Sequence, residues 1–175
     1  MTAVVHLVCG GTGAGKSTYA RALAAREQAL VFILDQWMTT LFWPDAPADL
    51  GNWAHERVER CSAQIRAVAG AATALGMPVV IDAGFTTQAD RAVFADWAAG
   101  RGLACRLHWL DLDPAARWRR VAARNSQGGG DTGIMVTPEM FAYMEALWQA
   151  PTSEEMTRLH GRRIEQAREG AGDGG

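Results

Sequence analysis

The chain has 175 residues, 49% of them hydrophobic, and 17 basic against 19 acidic side chains give a formal charge of −2. That length suits one domain with a sizeable core, and the near balance of charge argues against nucleic acid as a partner. No apolar run approaches the roughly 20 residues of a membrane span, and a strand-like run begins within a few residues of Met1, so neither anchor nor leader is expected. Cys9, Cys61 and Cys105 fall in strand-like runs or on an apolar helix face. They read as buried thiols of a reducing, cytoplasmic compartment.

In chain order, Val4-Val5-His6-Leu7-Val8-Cys9 is a continuous run of buried-strand type. A glycine-rich stretch follows, then a segment of helix formers from Ser17 to Arg26. Ala29 to Leu34 predicts a second strand ending on Asp35, and Gln36 to Gly51 reads as a connecting segment with two prolines. Asn52 is placed to cap a long helix with Val58, Cys61, Ile65, Val68, Ala72 and Leu75 at +3/+4 spacing and Gly76 as its stop. Met77 to Ile81 is a third strand ending on Asp82. Thr87 and Asp90 form a capping-box pair opening a helix to about Ala99, and Leu103 to Leu110 is a fourth strand.

Asp113-Pro114 then starts a helix with a cap and a proline at its first position. Ser126 to Gly133 is a glycine-rich loop, Thr137-Pro138 opens a helix to about Trp148, and Thr152 to Glu155 open a short final one. No fifth strand is expected after Pro151, and Gly170 to Gly175 reads as a disordered tail. Four alternations of strand and helix predict an α/β fold, a short parallel sheet covered on both faces in a three-layer sandwich. One domain is expected over residues 1–169.

Lys16 is the only lysine; the other sixteen basic residues are arginine. It stands in Gly10-Gly11-Thr12-Gly13-Ala14-Gly15-Lys16-Ser17-Thr18, a full match to the P-loop pattern, with a strand before and a helix after. A compact ammonium on a flexible stem reaches over a tight loop to β- and γ-phosphates, where a guanidinium fork fits poorly. Glycines let backbone N–H groups turn inward on phosphate oxygens, and the helix N-terminus adds its positive end. The loop from Gly10 to Thr18 therefore predicts binding of a nucleoside triphosphate, taken as ATP, with Ser17 placed to reach Mg²⁺.

In an open parallel sheet, ligands sit beyond the carboxyl ends of the strands. The acids there are Asp35, Asp82 and the Asp111/Asp113 pair. Phosphoryl transfer needs one carboxylate to take the acceptor proton, and Asp35 is the expected base. Asp82 closes an apolar run as a Walker B acid does, and is expected to hold Mg²⁺ through water or to orient Asp35. Asp113 reads as a helix cap. Arg117, Arg120 and Arg124 share a helix face at +3 and +4 spacing and form a stripe able to close over a triphosphate. His6 and His108, inside strands, read as core residues.

The ordered set resembles the P-loop kinases that include AAA-type ATP-binding, zeta-toxin-like and polynucleotide 5′-hydroxyl kinase-like phosphotransferases. It rests on the loop, on Asp35, on Val79-Val80-Ile81-Asp82-Ala83-Gly84-Phe85 with Arg91, and on Leu110-Asp111 followed by Arg120-Val121-Ala122-Ala123-Arg124-Asn125. It also rests on Val136-Thr137-Pro138 before Pro151-Thr152-Ser153-Glu154-Glu155. The resemblance implies a nucleotide-kinase-like strand order 2-3-1-4 and a helical lid over about 114–137. It also implies Lys16 and Ser17 at the phosphates, Asp35 as base, and Arg120 and Arg124 in the lid.

The polynucleotide kinases of that group carry an arginine three residues after the base, where this chain has Met38. Gln36 to Trp53 holds no Lys or Arg but has Trp37, Trp43, Trp53, Phe42, Asp45 and Asp49. That composition favours a neutral or cationic small-molecule acceptor with an apolar body over an anionic one. The leading expectation is an ATP- and Mg²⁺-dependent kinase acting on a small-molecule hydroxyl. A nucleoside, polynucleotide or nucleotide-sugar kinase and a nucleotide-binding ATPase switch are the alternatives.

Overall fold

A computed structural model describes residues 3–50, 52–129 and 135–165. Five strands, β1 (Val4–Cys9), β2 (Leu30–Ile33), β3 (Val79–Asp82), β4 (Ala104–Asp111) and β5 (Arg162–Glu165), form one parallel sheet in the order β2-β3-β1-β4-β5. The helices are α1 (Lys16–Glu27), α2 (Leu34–Leu41), α3 (Trp53–Ala74), α4 (Gln88–Ala99), α5 (Pro114–Ser126), α6 (Pro138–Leu147) and α7 (Ser153–Arg158). Among the described residues no helix is long and apolar enough to cross a membrane.

Strand alternation divides the core in two. Val5, Leu7 and Cys9 of β1 point to one side, where Phe32, Val79, Ile81 and Leu107 join Ile65 and Ala69 of α3 and Phe94 and Ala98 of α4. Val8, Val80 and Leu110 point to the other and pack under Ala20, Leu23 and Ala24 of α1. Covering both faces is why these strands read as near-continuous apolar runs. Each large side chain so buried contributes about 1.5–3 kcal/mol. Burial also pushes the Cys9 and Cys105 thiols up to about 12, which makes them inert packing groups.

Two expectations are corrected. A fifth strand exists: Arg162-Arg163-Ile164-Glu165 pairs with β4 at the sheet edge. An edge strand has one neighbour and stays largely exposed, so charged residues suit it and it gives no apolar signal. The segment after β2 is not a plain connection either, because α2 starts at Leu34 and a 3₁₀ turn follows over Trp43–Asp45. In α3 the buried stripe runs through Cys61, Ile65, Ala69 and Ala72, while Val68 and Leu75 are exposed. Small alanines let that helix approach the sheet, and Leu75 lies past its end.

Local signals set most boundaries. Thr87 with Asp90 and Thr152 with Glu155 form reciprocal capping boxes, and Asp113 and Thr137 accept from the backbone N–H groups of Ala116 and Met140. Asn52 precedes α3 without a side-chain cap bond. Gly76, at φ 80°, takes the left-handed turn that ends the chain's exit from α3. The expected tail, Gly170 to Gly175, and the end of the glycine-rich loop lie outside the described residues.

Candidate active site

The strand order puts β1 at the centre, so the loop leaving it sits mid-edge on the sheet between the ends of β3 and β4. Gly13 and Gly15 hold φ of 82° and 85°, and a Cβ on Gly13 would lie 2.6 Å from the Arg117 carbonyl oxygen. A Cβ on Gly10 would lie 2.8 Å from the Leu110 oxygen. The Lys16 ammonium curls over the loop and donates to the Gly10 and Gly11 carbonyls at 3.0 and 3.3 Å. Ala14 turns its side chain into the core under α1.

Ser17 donates its hydroxyl to Asp82 Oδ2 at 2.8 Å. Asp82 closes β3 and is buried. Burial pushes its carboxyl above the usual range, while the Lys16 ammonium and the Ser17 bond pull the other way. One hydroxyl and one carboxylate, both hard oxygen donors beside the phosphate loop, match the small protein donor set that Mg²⁺ takes when water and phosphate oxygens complete its shell. The residues present fit that ion.

β2 pairs with β3 so that Ile33 lies opposite Asp82, and Asp35 follows two residues later in the first turn of α2. Asp35 is exposed into a cavity of about 500 Å³ that it shares with the P-loop residues Gly10, Gly11, Thr12, Gly13, Gly15, Lys16, Ser17 and Thr18. Arg120 and Arg124 of α5 line the same space. Arg124 Nε is buried and has no hydrogen-bond partner among the described residues.

Arg117 leaves the stripe. It is buried, and its guanidinium donates to the Leu112 and Thr12 carbonyls at 2.9 and 3.2 Å and, through both terminal nitrogens, to the Glu145 carboxylate at 2.5 Å. A Cβ on Gly11 would strike that guanidinium. So Arg117 braces the loop from outside and ties it to α6, while Arg120 and Arg124 face the cavity. Arg91 is also internal: it holds Glu155 bidentately at 2.7 and 2.9 Å and donates to the Phe85 and Gln149 carbonyls. Burial pushes Glu155 up, but the bond to Arg91, the Arg91 charge, the Thr152 N–H and the Arg158 charge together leave its carboxyl below the ordinary range.

Sequence reasoning missed several cavity residues: Arg21, Thr86, Met144 and Trp148. Arg21 had a signal, since it lies one helical turn after Ser17 on α1. Met144 and Trp148 had none, because only tertiary packing brings α6 across the cavity. The tryptophans expected near the acceptor pack elsewhere. Trp37 meets Phe32 edge-on, and Trp43 stacks on Trp53 with ring centres 5.8 Å apart. Of the segment after β2, Asp35 and Gln36 reach the cavity. His6 and His108 are buried and bonded to each other, as core histidines.

Residues 5–151 match the AAA domain family. No curated protein matches the sequence. Among solved structures, Chaetomium thermophilum Kti12 in complex with ADP-AlF3 superposes at TM-score 0.69 and 15% identity, over 94% of this chain and 89% of that one. Mycobacterium tuberculosis APS kinase CysC, in complex with AMPPNP and APS, gives 0.62 and 17% over 95% and 90%. A Sinorhizobium meliloti gluconokinase gives 0.59 and 19% over 95% and 85%. At such identities the likeness is one of fold. With a family match over most of its length, the phosphate loop at the centre of a 2-3-1-4-5 sheet and these neighbours, the chain belongs to the AAA domain family and has a P-loop kinase-like fold.

Proposed function

We propose that the protein is an ATP- and Mg²⁺-dependent phosphotransferase that moves the terminal phosphoryl group of the nucleotide onto a hydroxyl of a small molecule. The observation that carries this reading is the single cavity with Lys16 and Ser17 in its floor and the Asp35 carboxylate in its wall. A switch that only hydrolyses nucleotide needs no acid beside an open acceptor space. The kinase folds it resembles, two of them with nucleotide analogues named in their complexes, add support.

In this reading the backbone N–H groups of Gly10 to Thr18 and the Lys16 ammonium bind and orient the phosphates. Ser17, with Asp82 through water, would hold Mg²⁺, which supplies charge neutralisation when bound. Asp35 accepts the proton of the acceptor hydroxyl as its oxygen bonds to phosphorus and the bridging bond to the β-phosphate breaks. Arg120 and Arg124, which line the cavity, stabilise the charge on the transferring group. Met144 and Trp148 exclude water from the acceptor side.

Ile33, Gln36, Thr86, Met144 and Trp148 line the cavity beside Asp35, and Arg21 lines it as well. The apolar lining supports an acceptor with an apolar body, and the lack of Lys and Arg from Gln36 to Trp53 supports a neutral or cationic one. Incubation with ATP, Mg²⁺ and a panel of small alcohols, sugars and amino alcohols should give products heavier by one phosphoryl group. Labelling of 5′-hydroxyl oligonucleotides with none of the panel modified would overturn the acceptor assignment. Nucleotide hydrolysis that is unchanged by Asp35→Asn would overturn transfer itself.

A further inference from the structure

A second cavity, of about 540 Å³, lies on the α1 side of the sheet at the strand starts, away from the P-loop. The register explains its lining. His6 pairs with Arg106, Val8 with His108, and His108 with Arg162, and laterally paired residues of parallel strands share a face. Two arginines and two histidines thus stand where a doubly covered parallel sheet carries apolar side chains. The last turn of α1 brings Arg26 and Glu27 to the rim.

Charge there is unbalanced. Glu27 is bonded by its neighbour Arg26 at 3.1 Å. Arg106 and Arg162 take no carboxylate among the described residues. Arg163, one position on and packed over the Trp109 ring on the other face, is bonded to Asp111 at 2.7 Å. The fold therefore pairs the arginine it can and leaves two on the cavity.

The buried histidines continue the polar face. Tyr19 Oη lies 2.9 Å from His108 Nδ1, and His108 Nε2 lies 3.0 Å from His6 Nδ1. Where the Tyr19 hydroxyl donates, His108 donates on to His6; the opposite tautomers reverse both bonds. Both rings line the cavity.

We infer that this cavity is a second binding site, separate from the P-loop, for a small polyanion bearing phosphate or carboxylate groups, gripped by Arg106 and Arg162 beside the His6 and His108 rings. Geometry and charge carry the assignment. Its pH dependence follows from the groups around the histidine pair and the cavity: Arg26, Glu27 and Tyr19 from α1, Arg106 from β4, His160 just before β5 and Arg162 in β5. Burial holds both imidazoles neutral at neutral pH. A bound anion favours their protonated forms, so affinity rises as pH falls.

Calorimetric titration of pyrophosphate, and separately of citrate, into a Lys16→Met variant tests the site with the P-loop cation removed. The variant should bind at least one probe, more tightly at about pH 5 than at about pH 7 once the probe's own protonation is corrected for. The ring nitrogen signals of His6 and His108 should shift on binding. Adding Arg106→Glu and Arg162→Glu, both at exposed positions, should weaken binding at least tenfold while the thermal transition is kept. Binding of pyrophosphate alone would mark a phosphorylated ligand, and equal binding of citrate a polycarboxylate. Loss of all binding in Lys16→Met, or unchanged affinity after the charge reversals, overturns the second site. Neither result bears on phosphoryl transfer at Asp35.

Discussion

Asp35 and Asp82 are both carboxylates at the sheet's carboxyl edge, and their surroundings suit them to different parts of the proposed reaction. Asp35 is exposed to the cavity, as the proposed base must be to reach an acceptor. Asp82 is buried and tied to Ser17, which suits holding rather than transferring. Asp35→Asn is expected to lower transfer by about 100- to 10,000-fold, the range for a positioned acid or base, with ATP affinity in a binding assay unchanged. Asp82→Asn should instead weaken the Mg²⁺ dependence, read as a rise of several-fold in the magnesium needed for half-maximal rate. The same logic separates the arginines. Arg91→Met would strand Glu155 as an unpaired buried carboxylate and cost about 3–5 kcal/mol in urea unfolding, and Arg91→Met with Glu155→Met should recover part of it.

Helix α5 does two jobs on adjacent turns. Its first turns carry Arg117 into the protein, where the guanidinium braces Thr12 and clasps Glu145 of α6. Its later turns carry Arg120 and Arg124 to the cavity. A spacing of +3 and +4 marks a common face but not which of its residues turns inward, and here Arg117 is buried against the loop while Arg120 and Arg124 line the cavity. Arg117→Ala should leave buried carbonyls without donors, costing about 1–3 kcal/mol in a thermal melt. Because α6 supplies Met144 and ends just before Trp148, the KM for both nucleotide and acceptor should rise together, by about tenfold. Arg124→Ala should mainly lower kcat, since its proposed role is on the transferring group. A variant series in which Arg117→Ala behaved as a mere surface change would refute the brace.

At the scale of the whole molecule, the sheet is unevenly protected from protons. Burial, reinforced by His6 and the nearby arginines, lowers His108 to about 4 in the folded protein, against about 6.5 when unfolded. The folded state then binds fewer protons between those values. Its contribution is intact above about 6.5 and is lost as pH falls toward 4, on the order of 3 kcal/mol in all. Urea midpoints measured from neutral pH downward should show this slope, and His108→Gln should flatten it. The Arg91–Glu155 bond adds to the loss in stronger acid, as Glu155 is forced to protonate.

The sequence alone determined the phosphate loop, the strand–helix alternation and the caps, because each depends on neighbours within a few positions: glycine conformations, an isolated lysine, a threonine three residues before an acid. It also brought Asp35 and Asp82 to one edge, since parallel strands end together. Only the tertiary structure decided that Arg117 turns inward, that Trp148 rather than Trp43 or Trp53 meets the cavity, and that a charged tetrapeptide completes the sheet as β5. Those outcomes depend on contacts between residues far apart in the chain, and local composition carries no record of which partner a side chain will find.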